Sequence, residues 1–318
     1  MEKRTIRIGT RDSRLALWQA QKVQQLLESA GHATALVPVK SDGDLDLVTP
    51  LYAMGVQGVF TKTLDAYLLS DKIDIAVHSM KDVPTQLAQG IEQAAILPRA
   101  DVHDILVLKA EKWQRDENGD WQRNTEENNF HIGTGSVRRK AQWLNRYPNS
   151  AIDNLRGNVQ TRLCKLAESD WDGAVFAMAG LNRVESLPEN HIELDWMLPA
   201  PAQGAIMIVC RTGDFFTKNA CAPMNDKATD VCTKIERDFL KTLMGGCSTP
   251  IGAYAHIDNG QILFKGNILS PDGKHKLEIS ETESFQSNSE LGIRTAKQLL
   301  AQGATTIIDE IRQFEKGN

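Results

Sequence analysis

One pattern occurs twice in this chain. Ile8-Gly9-Thr10 closes a strand-like stretch and leads into a helix carrying Trp18, and Ile132-Gly133-Thr134 leads into a helix carrying Trp143. Further along, Asp74-Ile75-Ala76-Val77-His78-Ser79-Met80 is echoed by Asp172-Gly173-Ala174-Val175-Phe176-Ala177-Met178. Strands separated by helices pair in parallel, with the helices covering the sheet. A repeated strand–helix unit therefore predicts an α/β fold: two similar domains facing each other across a cleft, where ligands collect at the carboxyl ends of the strands.

The alternation places strands at 6–10, 35–39 and 74–78. Ser13 caps a helix whose Ala16, Ala20, Val23 and Leu27 share one face, and a second helix spans 61–69. It restarts with strands at 105–108, 131–134, 151–155 and 173–177, and helices at 137–147 and 158–168. Between them, the polar stretch 109–130 carries Trp113-Gln114-Arg115 and Trp121-Gln122-Arg123 on either side of Asn118-Gly119, which predicts a protruding hairpin. The tail differs. An amphipathic helix at 228–243 presents Val231, Ile235 and Phe239, and Gly245-Gly246 stops it. Short strands around Pro271-Asp272-Gly273 and a helix at 289–302 complete a small α+β unit.

Composition narrows the classes. A chain of 318 residues exceeds one small core. Lys and Arg number 36 against 41 Asp and Glu, which argues against nucleic acid as the main partner. No apolar run is long enough for a bilayer, and the first residues enter a strand pattern directly, so a cytoplasmic protein is expected. The five cysteines, Cys164, Cys210, Cys221, Cys232 and Cys247, are odd in number and form no C-x-x-C pair, which predicts reduced thiols. No His stands at ligand spacing from them, so no metal site is expected. Cys164, Cys210 and Cys232 read as small buried apolar residues.

Three features point to chemistry. Residues 132–166 hold seven basic side chains and one acid, Asp153, within a chain of net charge −5. Arg138, Arg139, Arg156 and Arg162 fall near strand–helix junctions, and Arg11 occupies the matching junction of the first half. Helix starts and guanidinium forks both suit carboxylates or phosphates, so a polyanionic small ligand is expected. Secondly, His78-Ser79-Met80-Lys81-Asp82-Val83-Pro84 ends a strand with an Asp beside a Lys, a pair able to exchange a proton or steady a cation. Thirdly, Cys247 follows two glycines that let the backbone pass close to something bulky, which suits a nucleophile or an attachment point. These features leave open a binding protein for a dicarboxylate, a ligand-sensing regulator and a thiol-dependent enzyme on acidic substrates.

Longer motifs carry a resemblance. Thr10-Arg11-Asp12-Ser13 with Leu15-Ala16, the stretch 74–84, Gly133-Thr134 with Ser136-Val137-Arg138-Arg139, and Leu155-Arg156-Gly157-Asn158-Val159 with Thr161-Arg162-Leu163 run in order. Ala179-Gly180-Leu181 with Arg183, Gln203-Gly204-Ala205, and Gly245-Gly246-Cys247 with Pro250-Ile251-Gly252 follow. Together they resemble the porphobilinogen deaminase (hydroxymethylbilane synthase) family over nearly the whole chain.

The resemblance implies a transferase that condenses four porphobilinogen molecules head to tail, releasing ammonia, to give the linear hydroxymethylbilane of tetrapyrrole biosynthesis. It implies a dipyrromethane cofactor joined by a thioether to Cys247 and held by Lys81, Ser136, Arg138, Arg139 and Arg162, with Asp82 assisting deamination and stabilising the cationic pyrrole. Arg11, Ser13, Gln19, Phe60, Arg156, Arg183 and Gln203 are the implied substrate-binding residues. It also implies two domains like those of periplasmic binding proteins, 1–100 with 202–223 and then 101–201, and a third, 224–318, carrying the cysteine. A monomer in transient contact with uroporphyrinogen-III synthase is the implied assembly. The chain departs from the family pattern at Gln57, where a lysine is usual, at Gly135, where a serine is usual, and at Pro201-Ala202, where Val-Gly is common. The 109–130 hairpin is also longer than the family pattern leads one to expect.

Overall fold

The computed structural model describes residues 4–40, 58, 61–117, 121–123, 129–243, 249–286 and 290–317. In it the two echoing stretches form two sheets of one topology. The first orders its strands β2 (Thr34–Val39), β1 (Ile6–Arg11), β3 (Ile75–Ser79), β12 (Ile206–Arg211) and β4 (Ile91–Ile96). The second orders β9 (Ala151–Asp153), β8 (His131–Gly133), β10 (Gly173–Ala177), β5 (Asp104–Leu108) and β11 (His191–Glu193). In each, three parallel strands are followed by one antiparallel strand, and the last strand runs in the direction of the first three. The chain passes from the first sheet to the second between β4 and β5, and returns between β11 and β12.

The likeness reaches single residues. Ile8 pairs with Ile75 and Gly9 with Ala76, as Ile132 pairs with Gly173 and Gly133 with Ala174. A buried aspartate stands at the foot of each central strand. Asp74 accepts the Arg7 backbone N–H at 2.8 Å, and Asp172 accepts that of His131 at 2.7 Å. The residue before each aspartate fills the space above a glycine. A Cβ on Gly9 would lie 2.2 Å from Ile73 Cδ1, and one on Gly133 would lie 2.4 Å from the Trp171 ring.

Helices start where the strands deliver them. The hydroxyl of Ser13 caps α1 (Arg14–Ser29), that of Ser136 caps the counterpart of α1 in the second sheet, and Asn158 caps the next helix through its side-chain oxygen. In chain order the remaining helices are α2 (Lys62–Leu69), α3 (Val137–Arg146), α4 (Val159–Glu168), α5 (Met178–Arg183), α6 (Phe215–Cys221) and α7 (Lys227–Thr242). In the tail, α7 packs on the antiparallel sheet β13 (Ile251–Asp258), β14 (Gln261–Leu269) and β15 (Lys276–Ser284), with Phe239 against Phe264. The hairpin pairs β6 (Trp113–Arg115) with β7 (Trp121–Arg123).

Some elements escaped the alternation. β4, β12, α5 and α6 lie between the expected ones. The last helix does not stop at residue 302: α8 (Leu291–Leu299) passes through a π turn in which Gly303 takes φ +101°, and continues as α9 (Thr305–Gly317), which buries Ile307, Ile308 and Ile311. Cys210, Cys221 and Cys232 are buried, but Cys164 is exposed. On α4 only Leu166 is fully buried, with Val159 and Leu163 packed beside it, and Cys164 is turned away from that face. Asn118-Gly119, Gly245-Gly246, Gln57, Phe60 and Cys247 lie outside the described residues. No helix among the described residues is long and apolar enough to cross a membrane.

Candidate active site

The carboxyl ends of β1, β3 and β10, with the segments that follow β8 and β9, face one cavity of about 420 Å³ between the two sheets. Three helix starts, capped by Ser13, Ser136 and Asn158, open onto it, and their unpaired N–H groups favour anions. Of the residues named from the sequence, Arg11, Ser13, Lys81, Asp82, Ser136, Arg138, Arg139, Arg156, Arg162, Arg183 and Gln203 all line it. Gln19 is not in its wall: it is buried on α1 and donates to Ser79 Oγ at 2.8 Å. Phe60 and Cys247 are outside the described residues.

Electrostatic imbalance sets the chemistry. Arg11, Arg14, Lys81, Arg138, Arg139, Arg156, Arg162 and Arg183 line the cavity, and its described carboxylates are Asp12 and Asp82. Burial, reinforced by repulsion from Arg139 and Arg156, pushes Arg162 down to about 10. Burial alone takes Arg183 to about 10 as well. Arg183 donates to Gly204 O at 2.6 Å and lies over the Trp18 ring. Burial, followed by the charge of Arg139, lowers Lys81 to about 8. His78, buried and repelled by Arg11, falls to about 4 and is neutral near pH 7.

Asp104, at the start of β5, is the residue that sequence reasoning missed. It is fully buried and lies 2.7 Å from both Arg138 Nη2 and Arg139 Nη2. Burial by itself would raise its carboxyl, but Arg138, Arg139 and Lys81 overcome that and hold it well below the usual carboxylate range. Gln203 donates to Asp104 Oδ1 at 3.0 Å and accepts from Lys81 Nζ at 3.1 Å. A polar chain thus runs from β3's end through the return crossing to the second sheet. Asp104 precedes a plain apolar strand, and its partners stand more than thirty residues away, so nothing local marked it.

The departures from the family pattern have local readings. A Cβ on Gly135 would come 2.5 Å from Leu155 O, so glycine fits where a serine is usual. Ala202 takes φ +62°, a conformation that costs a non-glycine residue about 1 kcal/mol, and its N–H is held by Glu236 at 2.6 Å.

Two like-built sheets around a cleft crowded with buried guanidiniums, with a carboxylate on a turn among them, define a protein built to take up an acidic small molecule. Comparison with known proteins makes this specific. Residues 6–219 match the family described as "Porphobilinogen deaminase, dipyromethane cofactor binding domain", and residues 231–301 match "Porphobilinogen deaminase, C-terminal domain". The porphobilinogen deaminase of Syntrophotalea carbinolica is 40% identical over 97% of this chain and 96% of its own length. That of Acidithiobacillus ferrooxidans is 38% identical over 97% and 98%, and the chloroplastic protein of Oryza sativa is 40% identical over 96% and 86%. The chain belongs to the porphobilinogen deaminase family, and its activity is that of a porphobilinogen deaminase with a dipyrromethane-binding domain.

The residues present fit that cofactor. Dipyrromethane, built from two substrate units, carries four carboxylates, and the cavity offers them eight cationic side chains against two described carboxylates.

Proposed function

We propose that the protein joins porphobilinogen units head to tail on a dipyrromethane group attached to Cys247, releasing ammonia at each addition, until four have formed hydroxymethylbilane. The observation that carries this reading is the cleft's charge: eight cations around two carboxylates, one of them on a turn at the end of β3. When bound, dipyrromethane supplies the nucleophilic pyrrole carbon to which the next unit is joined.

The chain's own residues do the remainder. Lys81, Ser136, Arg138, Arg139 and Arg162 hold the acetate and propionate groups of the cofactor. Arg11, Ser13, Arg156, Arg183 and Gln203 hold those of the substrate, Phe60 is assigned to substrate binding as well, and Gln19 fixes the Ser79 hydroxyl at the end of β3. Asp82 keeps the substrate's aminomethyl nitrogen protonated as its bond to carbon breaks. Its carboxylate then offsets the positive charge left on that pyrrole. We read the protein as a monomer. We read its setting as the cytoplasm, where the product meets uroporphyrinogen-III synthase in a transient contact.

Intact mass tests the reading. The purified protein is expected to be heavier than its sequence by two linked pyrrole units, and Cys247→Ser to lose both that mass and the activity. A fully active, unmodified Cys247→Ala protein would return the chain to the binding-protein alternative.

A further inference from the structure

The turn that carries Asp82 is held from outside its own sheet. After β3, residues Met80–Asp82 form a single 3-10 turn closed by Val83 N–H to Met80 O at 3.1 Å. So short an element satisfies few of its own carbonyl oxygens. Arg237, on the middle of α7, supplies the donors. Its Nη1 lies 2.8 Å from Val83 O and 3.4 Å from Met80 O, and its Nη2 donates to Pro84 O. One planar guanidinium therefore grips three main-chain oxygens, two of which come directly after Asp82 and one just before Lys81. Met80 and Val83 are buried on either side, so the grip meets a turn already packed from below.

The neighbouring residue fixes the helix that reaches in. Glu236 is fully buried and accepts from Arg99 Nη1 at 2.6 Å and Nη2 at 3.0 Å, from Ala202 N–H at 2.6 Å and from Ala255 N–H at 2.8 Å. Helix α7 is thus pinned to the first sheet, to the return crossing and to β13, and Arg237 extends from a rigid base. A guanidinium is suited to this because its forked donors have fixed spacing, whereas an ammonium on a flexible stem offers a point charge.

We infer that Arg237 is a positioning residue for the reaction: it sets the place of the Asp82 carboxylate by holding the backbone of its turn. The inference rests on the role of Asp82 proposed above. Arg237 is not in the wall of the cavity, so its influence on substrate affinity is expected to be small.

The test is a double-mutant cycle on cofactor-loaded protein, with loading measured by intact mass and folding by thermal melting. Arg237→Met is expected to lower kcat about 10- to 100-fold, the scale of an ångström-sized misplacement of a reacting group. KM should move less than about threefold. Arg237→Lys should recover part of the loss, and the Val83 amide should exchange its hydrogen faster in both variants. In the Asp82→Asn background, where most activity is already gone, Arg237→Met should add little further loss. Parent-like kcat with parent-like Val83 exchange overturns the inference. So does a loss that follows only the missing cofactor or the unfolded fraction, or one that adds in full to that of Asp82→Asn. If Arg237→Met does not fold, the same readings on Arg237→Lys decide. High activity in Asp82→Asn alone would instead overturn the role of Asp82, while accelerated Val83 exchange would still report the grip.

Discussion

At the scale of single residues, Lys81 links electrostatics to pH. Burial and then Arg139 bring its folded-state value down from 10.5 to about 8. For such a base the charged form is disfavoured by folding. That cost is complete below about 8, shrinks as pH climbs, and is gone above about 10.5. Anion binding has the opposite need, since only the charged form attracts carboxylates. We expect kcat/KM to fall as pH rises through about 8, and Lys81→Arg, whose charge persists, to move that limb upward. Unchanged profiles for both proteins would separate Lys81 from substrate capture. The sequence revealed the cations of this site because helix starts and basic runs are local features. It did not reveal that Arg138 and Arg139 straddle Asp104, because a buried ion pair between β5 and α3 is a property of folded distance.

At the scale of elements, the paired glycines of β1 and β8 make a comparison within one chain. Adding a methyl at Gly133 would press on the Trp171 ring, which is held by its Nε1 donating to Asp153 Oδ2 at 2.7 Å. At Gly9 the obstacle is the flexible end of Ile73. Overpacking costs about 1–3 kcal/mol. Gly133→Ala should lie at or above the upper end of that range and Gly9→Ala below it, measured as shifts in urea midpoint. Equal and negligible shifts would show that the strands yield freely. The echo of these two units was legible because alternation and the Ile-Gly-Thr motif are short-range. β12 was not: Ala205–Cys210 is continuously buried on both faces and has no period to read. The helix beyond Gly303 was missed because a glycine in a left-handed conformation usually ends a helix, and here the chain turns and resumes.

For the whole molecule, Glu236 is where three parts meet: Arg99 beyond β4, Ala202 on the return crossing and Ala255 on β13. Replacing it with Gln keeps the shape but leaves the Arg99 guanidinium, mostly buried beside Tyr254, without its carboxylate. Removing one partner of a buried pair costs about 3–5 kcal/mol. Glu236→Gln should therefore melt several degrees below the parent, and calorimetry should resolve a separate transition for the antiparallel tail. A single transition at the parent temperature would show that the tail is held by its apolar contacts alone.

The two passages of the chain between the sheets have a mechanical meaning. They do not run independently: Ala100 N–H donates to Gly204 O at 3.2 Å, Arg99 Nε to Gln203 O at 2.8 Å, and Gln203 Nε2 to Val102 O at 2.8 Å. Gly204, at φ +87°, brings them so close that a Cβ there would lie 2.6 Å from Ala100 O. Two tethers laced side by side behave as the spine of a book. Any opening of the cleft would pivot about that spine, because the two tethers are hydrogen-bonded to each other along it. One proteolytic cut in either tether would leave the covers bound, and two would be needed to part them.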